Sequence, residues 1–305
     1  MTRTESNIVL FSITLCWASA YIFIKNIPAS MSTYAYMTLT TGIASLILAI
    51  VFFRRFRQFN KKILLQSLIL AVIICLNLIC ERLGISKIPA STASFVASLN
   101  IVFVPLLLLL FKHKLTRNHL AGILFILIGL IFTSGIKAGA AINYGVLAMT
   151  AACMFMAVYI ITVDQFTKLS DPLLLGIGQM FFTALLSFLL WFIEEPGTFF
   201  SITYTKEILA NIFLLAFFAK AYAYIMLMYS QKYASPIAVT VMSSTEPVVT
   251  MVLALLIPNT FGQTESLSRA KLIGTFFIVA GAILAGTNFL SRKSHRQIQP
   301  KEQTL

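Results

Sequence analysis

Long apolar runs alternate with short polar segments along almost the whole chain. Ten of these runs hold close to the roughly 20 apolar residues that a helix needs to cross a bilayer. Because backbone amides in hydrocarbon must find partners within their own segment, each run is predicted to be a helix. The predicted spans cover residues 7–25, 33–53, 63–83, 88–111, 118–136, 143–163, 173–193, 207–230, 235–257 and 270–290.

Composition points to the same class of protein. Hydrophobic residues make up 59% of the 305 residues and charged residues only 11%, whereas soluble domains carry about 25% charged residues. The connections between the apolar runs are mostly too short to hold a separate soluble domain. The chain is therefore predicted to be an all-α membrane protein embedded in the lipid bilayer.

The net charge of +13 indicates membrane orientation rather than nucleic-acid binding, because Lys and Arg cluster in the short connections. With the N-terminus in the cytoplasm, the inner segments hold fifteen Lys and Arg residues and the outer segments seven, among them Lys25 and Arg82. The positive-inside rule then predicts a multi-pass inner-membrane protein with both termini cytoplasmic. Residues 291–305 are polar and are predicted to form a disordered cytoplasmic tail.

No motif for cofactor chemistry is found in the sequence. The four cysteines lie within apolar runs without CxxC spacing, and the three histidines lie in or beside connections, so neither a disulfide framework nor a metal site is expected. A GxxxxGK[ST] nucleotide loop is absent from the sequence. Because the embedded positions also lack His and Asp, we expect no cofactor and no enzymatic activity.

An internal repeat divides the chain into two halves. LTRNHLAG at residues 115–122 aligns with LSRAKLIG at residues 267–274, and Gly129 and Gly281 follow seven residues later in each copy. The repeat unit is five spans, with proposed boundaries at 1–137 and 138–290. An odd number of spans places the second copy in the membrane upside down. The sequence thus predicts ten transmembrane helices as a 5+5 inverted repeat, an architecture common among secondary transporters.

A looser match lies upstream in each half. SLNIVF at residues 98–103 aligns with STEPVV at residues 244–249, which pairs Asn100 with Glu246. An alternative alignment on the prolines pairs Pro105 with Pro247. The glycines of the fifth and tenth spans lie seven apart on one helix face, and we expect them to admit a closely packed neighbouring helix.

Several short motifs resemble those of a known family. They are CWASAY at residues 16–21 with Lys25, ASTAS at 90–94 followed by LNIV at 99–102, TEPV at 245–248, and the Arg…Gly…Gly pattern of the fifth and tenth spans. Their order and spacing resemble the EamA family of the drug/metabolite transporter superfamily. The chain departs from that pattern at Ala18, where the family usually has glycine, and in the second span, which lacks the usual arginine.

The resemblance implies a secondary transporter that moves a small metabolite by alternating access. Amino acids or related amines and carboxylates are the implied substrates, with export the favoured direction. Two alternatives remain open, namely a multidrug or cation exporter of the same fold and a non-transporting membrane receptor. The expected partners are the substrate, the bilayer and a coupling proton, with no nucleic acid and with a monomeric or homodimeric state.

Charged residues within spans are costly to insert, by roughly 2.5–3.5 kcal/mol at a helix centre, and usually face a cavity or one another. Lys220 and Glu246 lie on consecutive spans at about 18–21 Å from their shared connection, and hence at similar depth. Two interpretations stay open: the two side chains form a structural ion pair, or one or both of them bind substrate or carry a coupling proton. Pro247 leaves the Ser243 carbonyl without its helical partner, which predicts a kink beside Glu246.

Other polar and aromatic residues are spaced to share helix faces, at intervals of three or four positions. Tyr159 aligns roughly with Tyr21 across the repeat. Glu81 lies near the predicted outer end of its span, where an interfacial position is the alternative. The predicted substrate-binding residues are Trp17, Tyr21, Asn77, Glu81, Asn100, Tyr159, Lys220, Tyr224, Ser243 and Glu246.

Overall fold

The computed structural model describes residues 3–28, 30–110, 116–133, 143–199, 202–257 and 268–286, and within these ranges every regular element is a helix. The predicted all-α class is confirmed. The predicted tail at 291–305 lies outside the described residues. The helices are α1 (Arg3–Lys25), α2 (Thr33–Val51), α3 (Lys61–Lys87), α4 (Ala90–Ala97), α5 (Asn100–Leu110), α6 (Arg117–Thr133), α7 (Tyr144–Thr167), α8 (Pro172–Glu194), α9 (Lys206–Leu214), α10 (Ala223–Gln231), α11 (Pro236–Ser243), α12 (Glu246–Leu256) and α13 (Arg269–Gly286).

Short 3₁₀ turns at Phe53–Gln58 and Pro196–Phe199 supplement these helices, and a π-helical segment, Leu215–Tyr222, joins α9 to α10. Among the described residues, eight helical stretches are long and apolar enough to cross a membrane. Three of them combine consecutive helices: Ala90–Leu110, Lys206–Gln231 and Pro236–Leu256. The protein is therefore a multi-pass membrane protein, whereas the count of ten spans and the inverted repeat remain predictions.

Helices begin where a polar residue precedes an apolar run. The Ser32 hydroxyl accepts hydrogen bonds from the N–H groups of Tyr34 and Ala35 at the start of α2. The carboxylate of Asp171 does the same at the start of α8, where Pro172 occupies the first turn. These caps satisfy amides that have no partner within the helix, so the segment bounds are fixed locally.

Two of the spans are interrupted near their middle. Ser98 ends α4 with φ −64° and ψ −11°, and Ser244 ends α11 with φ −64° and ψ −10°. The next amide in each case bonds three residues back, Leu99 to Val96 at 3.0 Å and Thr245 to Met242 at 3.1 Å. Each span thus contains a tightened turn, a feature often found at hinges.

The second half-helices begin at Asn100 and Glu246, the two positions that the sequence alignment pairs. Pro247 follows the break in the later span, as expected from its missing N–H. The earlier span has Ile101 at that place, and its proline, Pro105, lies inside α5. Proline therefore contributes to one break and does not explain both.

The glycines of α6 and α13 bring these two helices into backbone contact. A Cβ built on Gly122 would lie 2.6 Å from the Gly281 carbonyl oxygen, and one built on Gly281 would lie 2.7 Å from that of Gly122. A Cβ on Gly129 would lie 2.6 Å from the carbonyl oxygen of Gly274. The predicted packing role is confirmed, and the neighbour is the helix that aligns with α6 in the repeat.

Two cations tie the ends of α1 and α3 together. The guanidinium of Arg82 donates to the carbonyls of Ile24, Ile27 and Pro28 at 3.0–3.4 Å, while Lys25 donates to those of Ile85 and Ile88 at 3.1 Å. Counting Arg82 as a charge of an outer connection was wrong. Helix α3 continues to Lys87, and Arg82 is 3% exposed within it.

We expect Gly122→Ala to lower the melting temperature of the detergent-purified protein, because the new methyl group must push α6 and α13 apart. Overpacking of this kind costs about 1–3 kcal/mol. Gly42→Ala is the matched control, since a Cβ at Gly42 would have nothing within 4 Å. Equal melting temperatures for the two variants would contradict the close packing of α6 on α13.

Candidate functional site

A small polar cavity lies between the two halves of the chain. Helices α1, α3, α7 and α10, the π-helical segment and the two interrupted spans surround it. Its volume of about 50 Å³ has room for a few water molecules. Nine of the ten predicted site residues line it: Trp17, Tyr21, Asn77, Glu81, Asn100, Lys220, Tyr224, Ser243 and Glu246.

Tyr159, the tenth, does not line the cavity. It is fully buried, and its hydroxyl donates to Gln179 Oε1 at 2.7 Å. Its ring packs edge-on against Tyr224 with centroids 5.8 Å apart, and Tyr224 contacts Trp17 at 5.8 Å in the same manner. Tyr159 thus supports Tyr224 from behind, while Trp17 and Tyr224 themselves line the cavity.

Three ionisable side chains face this small volume. Lys220 is 4% exposed and Glu246 is 6% exposed, and Glu81 lines the cavity beside them. The Lys220 ammonium lies over the Tyr224 ring, 5.6 Å from its centroid, which favours a cation at that place. The interfacial alternative for Glu81 is excluded, because its carboxylate is inside.

The charges are arranged differently from the pair considered in the sequence. Lys220, Glu81 and Glu246 line the same cavity, and Ser243 lines it one turn before Glu246. The salt bridge found within 4 Å among the described residues joins Lys168 to Asp164. Lys220 and Glu246 therefore share a cavity without a direct ion pair.

Local backbone geometry explains how these polar groups reach the cavity. Glu246 and Asn100 are the first residues of α12 and α5, directly after the tightened turns that interrupt the two spans. Lys220 lies in the π-helical segment, a distortion that is frequent at functional sites. Irregular backbone at membrane depth is tolerated where it borders a cavity in this way.

The two asparagines of the cavity have different surroundings. Asn77 donates through Nδ2 to the Ala152 carbonyl at 2.8 Å and so ties α3 to α7. The side-chain oxygen of Asn100 is buried with no hydrogen-bond partner. A buried acceptor of this kind is costly when it is unsatisfied, so Asn100 is the one of the two that is available to a ligand.

Sequence reasoning missed the apolar wall that α7 contributes, with Met149, Cys153, Met156 and Ile160 facing the cavity. Their spacing along one helix face was readable, but apolar residues in an apolar helix carry no signal for a site. Within the described part of the chain, no group of three or more His, Cys, Asp or Glu side chains is placed to hold a metal ion.

Bilayer-length apolar helices around an internal cavity with charged side chains define a multi-pass membrane protein with a polar site between its helices. The model of the EamA-like transporter family matches the chain twice, over residues 5–135 and 143–287. The chain belongs to this family and is a membrane transporter.

Two individual proteins are similar over nearly the whole length. An uncharacterized transporter of Archaeoglobus fulgidus is 23% identical over 287 residues, covering 92% of this chain and 86% of the relative. A protein of known crystal structure is 21% identical, with a TM-score of 0.72 over 96% of this chain and 99% of that one. This second likeness shows that the fold is shared.

We expect Asn77→Ala and Asn100→Ala to affect different properties. Asn77→Ala removes a buried hydrogen bond and should cost about 1 kcal/mol of stability. Asn100→Ala breaks no bond, so its melting temperature should stay near that of the wild type while its transport rate falls. Melting curves and transport assays on both variants test this, and an equal stability loss in both would contradict it.

Proposed function

We propose that the chain is a secondary transporter that carries a small polar or amphipathic metabolite by alternating access. It would do so as ten spans in a 5+5 inverted repeat, with halves at 1–137 and 138–290. Three features support this: two matches to one family model, paired breaks at Asn100 and Glu246, and the mutual packing of α6 and α13. The observation that carries the proposal is the cavity where both helix breaks and both signs of charge meet.

The cavity chemistry suits an amino acid or a related amine or carboxylate. The carboxylates of Glu81 and Glu246 would accept hydrogen bonds from a substrate amine, and Lys220 would bind a substrate carboxylate. Trp17 and Tyr224 would pack against the body of the substrate. Half-helix N-termini near a central site are a means by which secondary transporters hold anionic groups.

A cation exporter is the second candidate, because the cavity holds two carboxylates and one ammonium. With Lys220 held against the Tyr224 ring, an organic cation would meet Glu81 and Glu246. Uptake of an amino-acid panel and a cationic-dye panel into proteoliposomes, with and without a pH gradient, separates the two. A protein that moves neither class would be the non-transporting receptor.

The space of about 50 Å³ inside the cavity is too small for an amino acid, so substrate binding would require the cavity to widen. Opening toward either face would enlarge it, and the tightened turns at Ser98 and Ser244 provide places for the half-helices to bend. We place both termini in the cytoplasm and the protein in the inner membrane, as a monomer or homodimer, with export the favoured direction.

Glu246 is the proposed carrier of the coupling proton. Glu246→Gln keeps the size of the side chain but cannot release a proton, so we expect transport to lose its response to a pH gradient. Glu207→Gln, at an exposed carboxylate at the start of α9, is the control and should behave as the wild type. An unchanged rate and proton dependence in Glu246→Gln would remove Glu246 from the coupling step.

Lys220 is the proposed ligand of the substrate carboxylate. Loss of a hydrogen bond to a charged group costs roughly 1.5–3 kcal/mol, so Lys220→Met should weaken carboxylate-substrate binding by about 10-fold to 100-fold. Lys232→Met, at an exposed site, is the control.

Normal transport by a folded Lys220→Met variant would contradict that role. If instead Lys220→Met misfolds and the double variant with Glu81→Gln folds, Lys220 serves to neutralise Glu81. Folding yield by size-exclusion chromatography distinguishes this outcome from a loss of substrate binding.

A further inference from the structure

Two apolar grooves meet on the outer surface between α2 and α8. The first, of about 390 Å³, is lined by Gly42, Leu46 and Ala49 of α2 and by Phe181, Leu185 and Phe188 of α8. The second, of about 260 Å³, continues past Phe59, Leu64 and Phe182. Phe56, in the 3₁₀ turn Phe53–Gln58, lines both grooves, so they share one end.

Gly42 marks the first groove as open space. A glycine such as Gly122 has close neighbours because a second helix packs against it. A Cβ at Gly42 would instead have nothing within 4 Å. Because this surface of a multi-pass protein faces the bilayer, acyl chains are what covers it.

Phe56 and Phe59, which line the grooves, lie in a chain segment that carries five exposed cations: Arg54, Arg55, Arg57, Lys61 and Lys62. Within the described residues none of them forms a salt bridge within 4 Å. The neighbouring acid, Asp171, which affects the Tyr229 hydroxyl together with Arg55, is already bonded to the amides of Leu173 and Leu174. This cluster of positive charge therefore has no compensating anion from the described protein.

These charges do not stabilise the start of α3. Lys61 and Lys62 begin α3, where a positive side chain opposes the helix dipole. Arg55 is held by a neutral partner, since its guanidinium donates to Gln58 Oε1 at 3.0 Å. An anion supplied from outside would satisfy the cluster.

We propose that this surface is a binding site for an anionic phospholipid. One acyl chain lies along the α2–α8 groove, the second enters the groove beside Phe59, and the phosphate headgroup meets Arg54, Arg55 and Arg57. Basic pockets between transmembrane helices bind anionic headgroups in this way, at about 1 kcal/mol for each Lys or Arg. The site is separate from the central cavity and does not depend on which substrate is transported.

Native mass spectrometry of the full-length protein in detergent tests the proposal, with dioleoylphosphatidylglycerol or dioleoylphosphatidylcholine added. We expect the wild type to bind the anionic lipid more tightly. The triple variant Arg54→Gln/Arg55→Gln/Arg57→Gln should lose affinity for the anionic lipid by about fivefold for each charge removed. Equal binding of the two lipids by the wild type, or an unchanged preference in the triple variant, would overturn the proposal.

Two further variants separate lipid binding in the groove from the effect of the protein's overall charge. Gly42→Leu projects a larger side chain into the groove, where a Cβ would have nothing within 4 Å, without changing a charge; it should weaken binding of the anionic lipid, whereas Gly42→Ala should not. Removing the exposed Lys87, Lys206 and Lys232 as glutamines lowers the net charge equally and should preserve the preference. Full binding by Gly42→Leu, or an equal loss in that lysine control, would also overturn the site.

Discussion

In the hydrocarbon of a bilayer, a backbone N–H or C=O without a partner costs several kcal/mol, and this constraint governs the structure. It forces the described chain into helices that begin and end at polar caps such as Ser32 and Asp171. It also limits the places where the helices can deviate from regular α-helical geometry. The tightened turns at Ser98 and Ser244 and the π-helical segment around Lys220 all border the same cavity, the one that Glu246 and Glu81 line.

The same constraint determines how charge is held within the membrane. Arg82 and Lys25 are buried or partly buried cations, and each donates to backbone carbonyls near the ends of α1 and α3, so they tie these two helices together. Glu81, Lys220 and Glu246 are different, because their side chains line a cavity. The structure thus separates two kinds of embedded charge that look alike in sequence, and the second kind is the one that we propose for substrate binding.

Much of the site was predictable because embedded polar residues are rare enough to stand out. Nine of the ten predicted residues line the cavity, since helical spacing correctly placed pairs such as Asn77 and Glu81 on one face. Tyr159 was misplaced because spacing gives a face but not the neighbour that covers it, here Gln179. The α7 wall was missed because its residues are apolar, and Arg82 was counted with the outer charges because it lies next to the end of the predicted span at residue 83, whereas α3 continues to Lys87.

The sequence by itself determined the membrane class, the helical segments, the family motifs and the pairing of Asn100 with Glu246, because hydrophobic length and local hydrogen bonding act over a few residues. Tertiary structure alone decided which charges meet. The sequence places Lys220 and Glu246 at similar depth, yet they form no salt bridge within 4 Å in the described structure, and Glu81 from α3 joins them at the cavity, since the rotation and tilt of packed helices set distances between side chains. Tertiary structure also left open space beside Gly42 and packed a helix against Gly122.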